Sequence, residues 1–481
     1  MRSGPACRKR STSRSTSTLT STCISMVSRT NSSRLVAVLT WLVATGSPLA
    51  AQAPALTTPL RLSFADAVRL ASGEVPVVAL ATLRTNEADA RVRQARAALL
   101  PSLSISGGWV NRTFNSKSLG IDFSFPLPSG DTATLPDLIG PFNNYDARFN
   151  ATQTLFDWSS VKRVRAAGAQ ADGSRAERGV TVEASVLTAA IAYVRAVRAQ
   201  AVVAARQADS GLAAELVGLA EAQRAAGVSP AIDVTRARAQ LATAQGLLLV
   251  AKNQLDRGRI DVTRALGLDP ATPLAFSDSL APSLGAADVP VQRDSGVAAA
   301  LANRPELRAE LARAAAARQT GSAIRAERLP KLQLAGDYGV NGKTVPKAIA
   351  TRQLALQVSV PILDGFRREA RLDEQDAVVR ESQVRESDLR WQIAAEVDAA
   401  LLDLGSAEAQ QLVAREQLRL AQSELSQARE RFKAGVAGNI DVITAQAGLI
   451  RARDTEIDAR FAAATARISL ARAAGVARTL H

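Results

Sequence analysis

The chain is written twice. Leu100-Pro101-Ser102-Leu103 returns as Leu329-Pro330-Lys331-Leu332, and Pro76 returns as Pro305, both displaced by 229 positions. Farther along, Ala226-Gly227-Val228 with Ile232-Asp233-Val234 returns as Ala434-Gly435-Val436 with Ile440-Asp441-Val442, now displaced by 208. Arg264-Ala265-Leu266-Gly267 returns as Arg472-Ala473-Ala474-Gly475 at that same displacement. A duplication constrains the fold strongly, because both copies must build the same units and can bury against each other what neither buries alone. The displacement falls once, so one loop of the second copy is shorter by about 21 residues.

Each copy gives the order helix, strand, loop, strand, long helix, turn, helix. The copies are expected over residues 54–289 and 290–481. Helix 65–100 opens with a capping box, Ser63 followed by Asp66, and stops at Pro101. Leu103, Ile105, Gly107 and Trp109 then alternate with serine and glycine, the period of a strand. After a Gly/Pro/Ser-rich loop at 115–144, a second strand is expected over 145–156. The second copy repeats this with strands at 332–340 and 354–363. Asp157 and Asp364 stand where strand turns into long helix, and both are expected as helix N-caps, accepting from first-turn amides. The long helices, 158–226 and 366–434, each run roughly 100 Å at 1.5 Å per residue. The shorter helical stretches (65–100, 231–266, 294–329 and 439–474) are each about half as long, so two of them end to end match one long rod.

Hydrophobic residues make up 47% of the chain but aromatics only 4%, a balance that suits slender, close-packed helices better than a thick core. In the second long helix, Val397, Leu404, Gln411, Leu418, Leu425 and Phe432 recur every seven residues. Ile393, Ala400, Ala407, Ala414, Ala421 and Ala428 recur four residues earlier. Two such rows form a left-handed coiled-coil seam.

The first 53 residues have the pattern of an export signal. Seven basic residues precede a short apolar run at 35–44, and small residues follow up to Ala53. No later segment has the ~20 apolar residues needed for a spanning helix. Removing seven cations lowers the net charge from +14 to +7. The remaining basic residues are interspersed with acidic ones, the pattern of solvated helix faces and not of a nucleic-acid surface. Both cysteines, Cys7 and Cys23, fall in the leader, and the sole histidine is His481. Histidine-dependent triads, most zinc sites and thiol chemistry are thereby excluded, no phosphate loop stands at a strand–helix junction, and neither enzyme activity nor a cofactor or metal is expected.

In an exported chain, alternating strands of about ten residues suggest a transmembrane barrel. Lipid leaves no room for an open sheet edge, and four strands cannot close when the smallest barrels need about eight. Several chains must then share one barrel, with Trp109, Tyr145 and Tyr338 as interfacial aromatics. An exported coiled-coil protein that tethers or spaces the envelope is the alternative; it accounts for the heptads but not for the duplicated strands.

The duplicated helix-Leu-Pro-strand step, the Leu-Phe-Asp and Ile-Leu-Asp-Gly junctions and the two Gly-Val-x-x-x-Ile-Asp-Val turns together resemble the TolC-like outer-membrane efflux proteins. The resemblance covers nearly the whole chain after the leader. It implies an α+β membrane fold: a homotrimer whose twelve strands, four per chain, form one transmembrane β-barrel continued by a twelve-helix periplasmic tunnel. It implies an exit duct for efflux or type I secretion, working with a periplasmic adaptor and an inner-membrane pump that moves drugs, metals or proteins outward. It places Gly227, Val228, Gly435 and Val436 at the tips that meet the adaptor, and Asp233, Asp441 and Phe432 near the entrance constriction. Where the best-known member locks its entrance with tyrosine and arginine and adds a second aspartate, this chain has Phe432, Ala437 and Thr444. An entrance held by apolar packing, with one acidic ring per trimer, is therefore expected.

Overall fold

The computed structural model describes residues 59–480, apart from 74, 120–123, 127, 129–131, 135, 282, 287–288 and 290–291. The predicted leader lies outside the described residues. Strand β1 (Leu60–Leu62) leads into α1 (Phe64–Ser72) and α2 (Pro76–Ala97), followed by β2 (Ser102–Asn115), β3 (Ser124–Pro126), β4 (Thr132–Thr134) and β5 (Leu138–Phe156). Helices α3 (Trp158–Ala225) and α4 (Ala231–Ala265) complete the first copy, and β6 (Leu274–Phe276) follows. The second copy contains α5 (Arg293–Asn303), α6 (Pro305–Ala326), β7 (Lys331–Gly342), β8 (Ile349–Ser359), α7 (Arg367–Lys433) and α8 (Asn439–Ala473).

The two helices expected to be continuous at the start of each copy are each broken in two. The breaks fall at Pro76 and Pro305, each the first residue of its new helix. Proline has no N–H to give the preceding turn but fits the first helical position, where that donor is not needed. The capping box holds: Ser63 Oγ donates to Asp66 at 2.6 Å, and the Asp66 amide donates back at 3.1 Å.

Short helices meet end to end as their lengths suggested. A Cβ added to Gly267, just past α4, would collide with Pro76 Cδ at the start of α2. Its counterpart Gly475 abuts Arg304 beside Pro305. Each long helix is thus flanked by two half-length ones, and α3 packs against α2, α4, α6 and α8.

Strands β2, β5, β7 and β8 form one antiparallel sheet in that order. β5 begins at residue 138, earlier than expected, extending past Asn144 as the partner of β2. β8 runs over 349–359 and ends before Pro361, whereas the alternation had carried it to 363; proline cannot continue a hydrogen-bonded ladder. Among the described residues, no strand lies beside the outer edges of β2 and β8.

Three-residue strands β1 and β6 pair in parallel, too short for any periodicity to reveal. They cover Tyr193 at the centre of α3, which is fully buried between Phe64 and Phe276, both edge-on. Tyr193 donates to Leu62 O at 2.8 Å and to Asp278 at 2.9 Å. Burial, reinforced by the Asp278 carboxylate, pushes its hydroxyl above the ordinary tyrosine range. This stretch of α3 corrects the expectation that no segment is long and apolar enough for a membrane span: α3 passes by length and composition. Its Val186, Tyr193, Val194 and Val197 face a protein core instead.

Candidate functional site

The sheet has two chemically different faces. Strand register places Leu103, Ile105 and Trp109 of β2 beside Ala151, Phe149 and Tyr145 of β5. Phe149 neighbours Tyr338 of β7, and Leu334 neighbours Leu356 of β8. Most of this face is exposed, Ile105 at 82% and Leu354 at 78%, while Tyr145, Ala151 and Leu334 are half-buried. With alternate residues pointing to opposite sides, the other face carries Ser102, Ser104, Ser106, Asn150, Arg148, Asp146, Asp337, Gln353 and Gln357. Side chains bridge strands across it, as in Asn150 Nδ2 to Ser106 Oγ at 3.0 Å. Arg148 donates to Asp146 at 2.8 Å and to Asp337 at 2.6 Å, leaving one net negative charge in the cluster. A band of exposed hydrocarbon on one side and hydrogen-bonding groups on the other suits a wall between lipid and water.

Asp157 caps α3 as expected. It accepts from the Ser159 and Ser160 amides at 3.0 and 3.2 Å and from both hydroxyls. Burial, the largest single influence, pushes its carboxyl upward, but the Ser159 and Ser160 hydrogen bonds outweigh it and hold the group below the usual range. The expectation for Asp364 is corrected: it does not cap α7, whose N-cap is Phe366 in the left-handed conformation with no side-chain capping bond. After Pro361 the chain takes an extra turn through Gly365, and Asp364 accepts instead from Arg368 Nε at 2.8 Å.

At the opposite end, α3 and α7 stop in identical fashion. Val228 N–H donates to Gln223 O and Gly227 N–H to Arg224 O, while Val436 and Gly435 repeat both bonds onto Arg431 and Phe432. Such paired closures need a left-handed residue, supplied by Gly227 (φ +75°) and Gly435 (φ +71°). Val228 and Val436 stand 75% and 71% exposed on the two turns.

Just behind the turns, Leu216, Ala220, Val234, Leu425, Phe432 and Val442 pack into a core drawn from all four helices. Phe432 is buried there. The two aspartates of the repeated turn differ. Asp233 is buried, accepts from Ser229 Oγ at 2.9 Å and lies 3.8 Å from Arg236. Asp441 is exposed in the first turn of α8, and its carboxylate has no partner among the described residues.

Two side-chain amides tie the hairpins together and were not anticipated. Gln223 Nε2 donates to Phe432 O at 3.1 Å, and buried Asn439 donates to Asp233 O at 3.0 Å. Some 20–30 Å up the rods by helical rise, Arg206 pairs with Asp454 at 2.7 Å and with buried Asp209 at 3.1 Å. Arg453 reaches Asp209 from α8. The duplication hides these links, since 208 positions on from Arg206 and Asp209 stand Ala414 and Gln417. Among the described residues no group of histidine, cysteine and carboxylate side chains is placed to hold a metal ion.

Comparison with known proteins agrees with this layout. The sequence pattern of the outer membrane efflux protein family matches residues 68–268 and 297–476. Protein CyaE of Bordetella pertussis is 26% identical over 420 residues, 86% of this chain and 84% of that one. The pyoverdine export outer membrane protein OpmQ of Pseudomonas putida is 24% identical over 83% and 82% of the two chains. Among solved structures, the outer membrane protein VceC of Vibrio cholerae superposes with a TM-score of 0.69 at 19% identity, covering 86% of this chain and 96% of that one. The Campylobacter jejuni CmeC outer membrane channel superposes at 0.70 and 16% identity, over 86% of each.

Proposed function

The chain belongs to the outer membrane efflux protein family, a family of outer-membrane efflux and secretion channels and not of enzymes, and from that premise we propose that three copies share one closed barrel and form a passive exit duct. The observation that carries this reading is the two-faced sheet with both edges open. Unpaired backbone groups in hydrocarbon cost several kcal/mol each, so β2 of one chain pairs with β8 of the next until twelve strands close. The apolar face meets lipid, and the Arg148–Asp146–Asp337 cluster lines the water-filled interior. The helices continue the duct into the periplasm, and an inner-membrane pump drives cargo through it.

The tips engage a periplasmic adaptor through Gly227, Val228, Gly435 and Val436, whose exposure on two equivalent turns supports a shared docking surface. Asp441, solvated and unpaired, supplies one acidic ring per trimer at the entrance. Asp233 acts as a tip brace instead of a second ring, its carboxylate held by Ser229. Phe432 and the apolar core around it hold the entrance closed.

Chain-to-chain closure is tested by placing a cysteine at Ser104 on β2 and one at a time at positions 353–359 on β8, then oxidising. Disulfide-linked dimers and trimers at one register support the shared barrel. Links formed only within single chains would mean that the sheet closes on itself, and the trimeric reading would fail.

A further inference from the structure

The hairpin joining β7 to β8 carries positive charge alone. Between Asp337 and Asp364 the chain has no acidic residue, but it has Lys343, Lys347 and Arg352. All three are exposed, and none of their side chains forms an ion pair or hydrogen bond among the described residues, although ion pairs run throughout the helices. The other outer hairpin differs: Lys117 pairs with Asp137 at 2.7 Å, and Asp122 and Asp131 make that loop acidic.

Arg352 occupies a place where an unpaired cation is costly. Its register partner is Tyr338, on the apolar face, and Leu354 on the same side is the next outward-facing residue toward the helices. An arginine on the lipid side of a barrel is costly at mid-depth and tolerated near the interface, where its guanidinium can reach the headgroups. Arg352 lies three rungs in from the last hairpin pair, Asn341 with Ile349, roughly 10 Å at strand rise. Closure of the barrel would not neutralise it, because the β2 edge offered by the next chain contains no carboxylate from 102 to 115. Val345 and Ile349, 69% and 71% exposed, stand between the cations and add the apolar contacts of an interfacial segment.

We propose that Lys343, Lys347 and Arg352 form an anionic-lipid site on the outer rim of the barrel, binding the phosphorylated headgroups of the outer leaflet. Arg352 takes a phosphate from the apolar face, beside the Tyr338 ring, while the two lysines hold the headgroup from above. The site rests on the reading of the sheet as a membrane barrel. It gives the duct a fixed depth in the bilayer through one hairpin per chain.

The test uses the full-length protein in zwitterionic detergent, titrated with diphosphorylated lipid A and with the same lipid stripped of phosphate; bound lipid is counted by native mass spectrometry. The expected result is tighter binding of the phosphorylated form, unaffected by inorganic phosphate. Lys343→Gln/Lys347→Gln/Arg352→Gln should weaken it by about fivefold per cation, roughly a hundredfold in all. Lys117→Gln, on the other hairpin, should leave it unchanged. Equal affinity for the two lipids, competition by inorganic phosphate at similar strength, or an unweakened triple variant would each overturn the site. The two-lipid comparison on the unaltered protein decides the matter even if the triple variant does not fold. A heat-dependent gel shift recorded on the same sample separates the failures: no shift defeats the barrel reading itself, whereas a shift without phosphate preference defeats only the lipid site.

Discussion

Helices α3 and α7 occupy matching places in the duplication and are nearly equal in length, 68 and 67 residues, yet they serve the molecule differently. Val194 in α3 is completely buried, and its counterpart 208 positions on, Leu402 in α7, is 74% exposed. α3 packs against helices of both copies and carries the Tyr193 core. α7 buries its heptad rows, Ile393, Val397, Ala400, Ala407, Ala414, Leu425 and Phe432, while Val384, Trp391, Leu412 and Leu420 face outward. After duplication, one long helix became the spine and the other a two-sided rod, buried along one seam and free along another. A rod attached by a seam and a few polar links can shift without dismantling the spine.

Substitutions can break this contrast. The largest effect is expected from Tyr193→Ala, about 3–5 kcal/mol for a buried aromatic in a close-packed core, while Leu402→Ala should fall within about 0.5 kcal/mol. Denaturant melts of the two variants decide this, and a large loss at Leu402 would show that another chain covers α7 there. Asp209→Ala should cost about 3 kcal/mol by leaving Arg453 and Arg206 short of a buried partner, against a negligible change for Gln417→Ala, its exposed equivalent. Removal of either amide link, Asn439→Ala or Gln223→Ala, should cost about 1 kcal/mol and lengthen the open periods of single channels. No change in channel closure in the double variant would leave the apolar core as the sole fastening.

The smallest effect comes from the first strand-to-helix junction. Asp157→Ala should lose about 1 kcal/mol with its cap. Because the folded-state carboxyl of Asp157 titrates below its ordinary value near 3.8, its contribution is complete above that pH and disappears as pH falls through the lower folded value. The melting difference between wild type and Asp157→Ala should accordingly shrink on acidification below about pH 3.8.

Much of the fold was legible because duplication and periodicity repeat their own evidence. The four sheet strands, both long helices and the glycine turns follow from alternation, heptads and Gly227 with Gly435. Breaks at Pro76 and Pro305 were written in the sequence, since the recurrence of the two prolines marks a helix start that a count of apolar residues passes over. The β1–β6 pair was not legible: three residues carry no period, and their partners lie more than 200 positions apart. At the candidate entrance, the shared Gly-Val and Ile-Asp-Val drew the two aspartates together, although the positions between them differ, with Ser229 in one copy where Ala437 stands in the other. Asn439 and Gln223 escaped notice because an amide bonding to a distant carbonyl leaves no pattern in sequence, and neither has a like residue in the other copy.

The central claim is that three chains close one conducting barrel, and single-channel recording of the purified protein in a planar bilayer, with its mass determined in detergent, tests it most directly. The account predicts discrete, cation-preferring conductance from a species of three chains, with the preference reduced in Asp441→Ala. A water-soluble, non-conducting species of any other stoichiometry would contradict it.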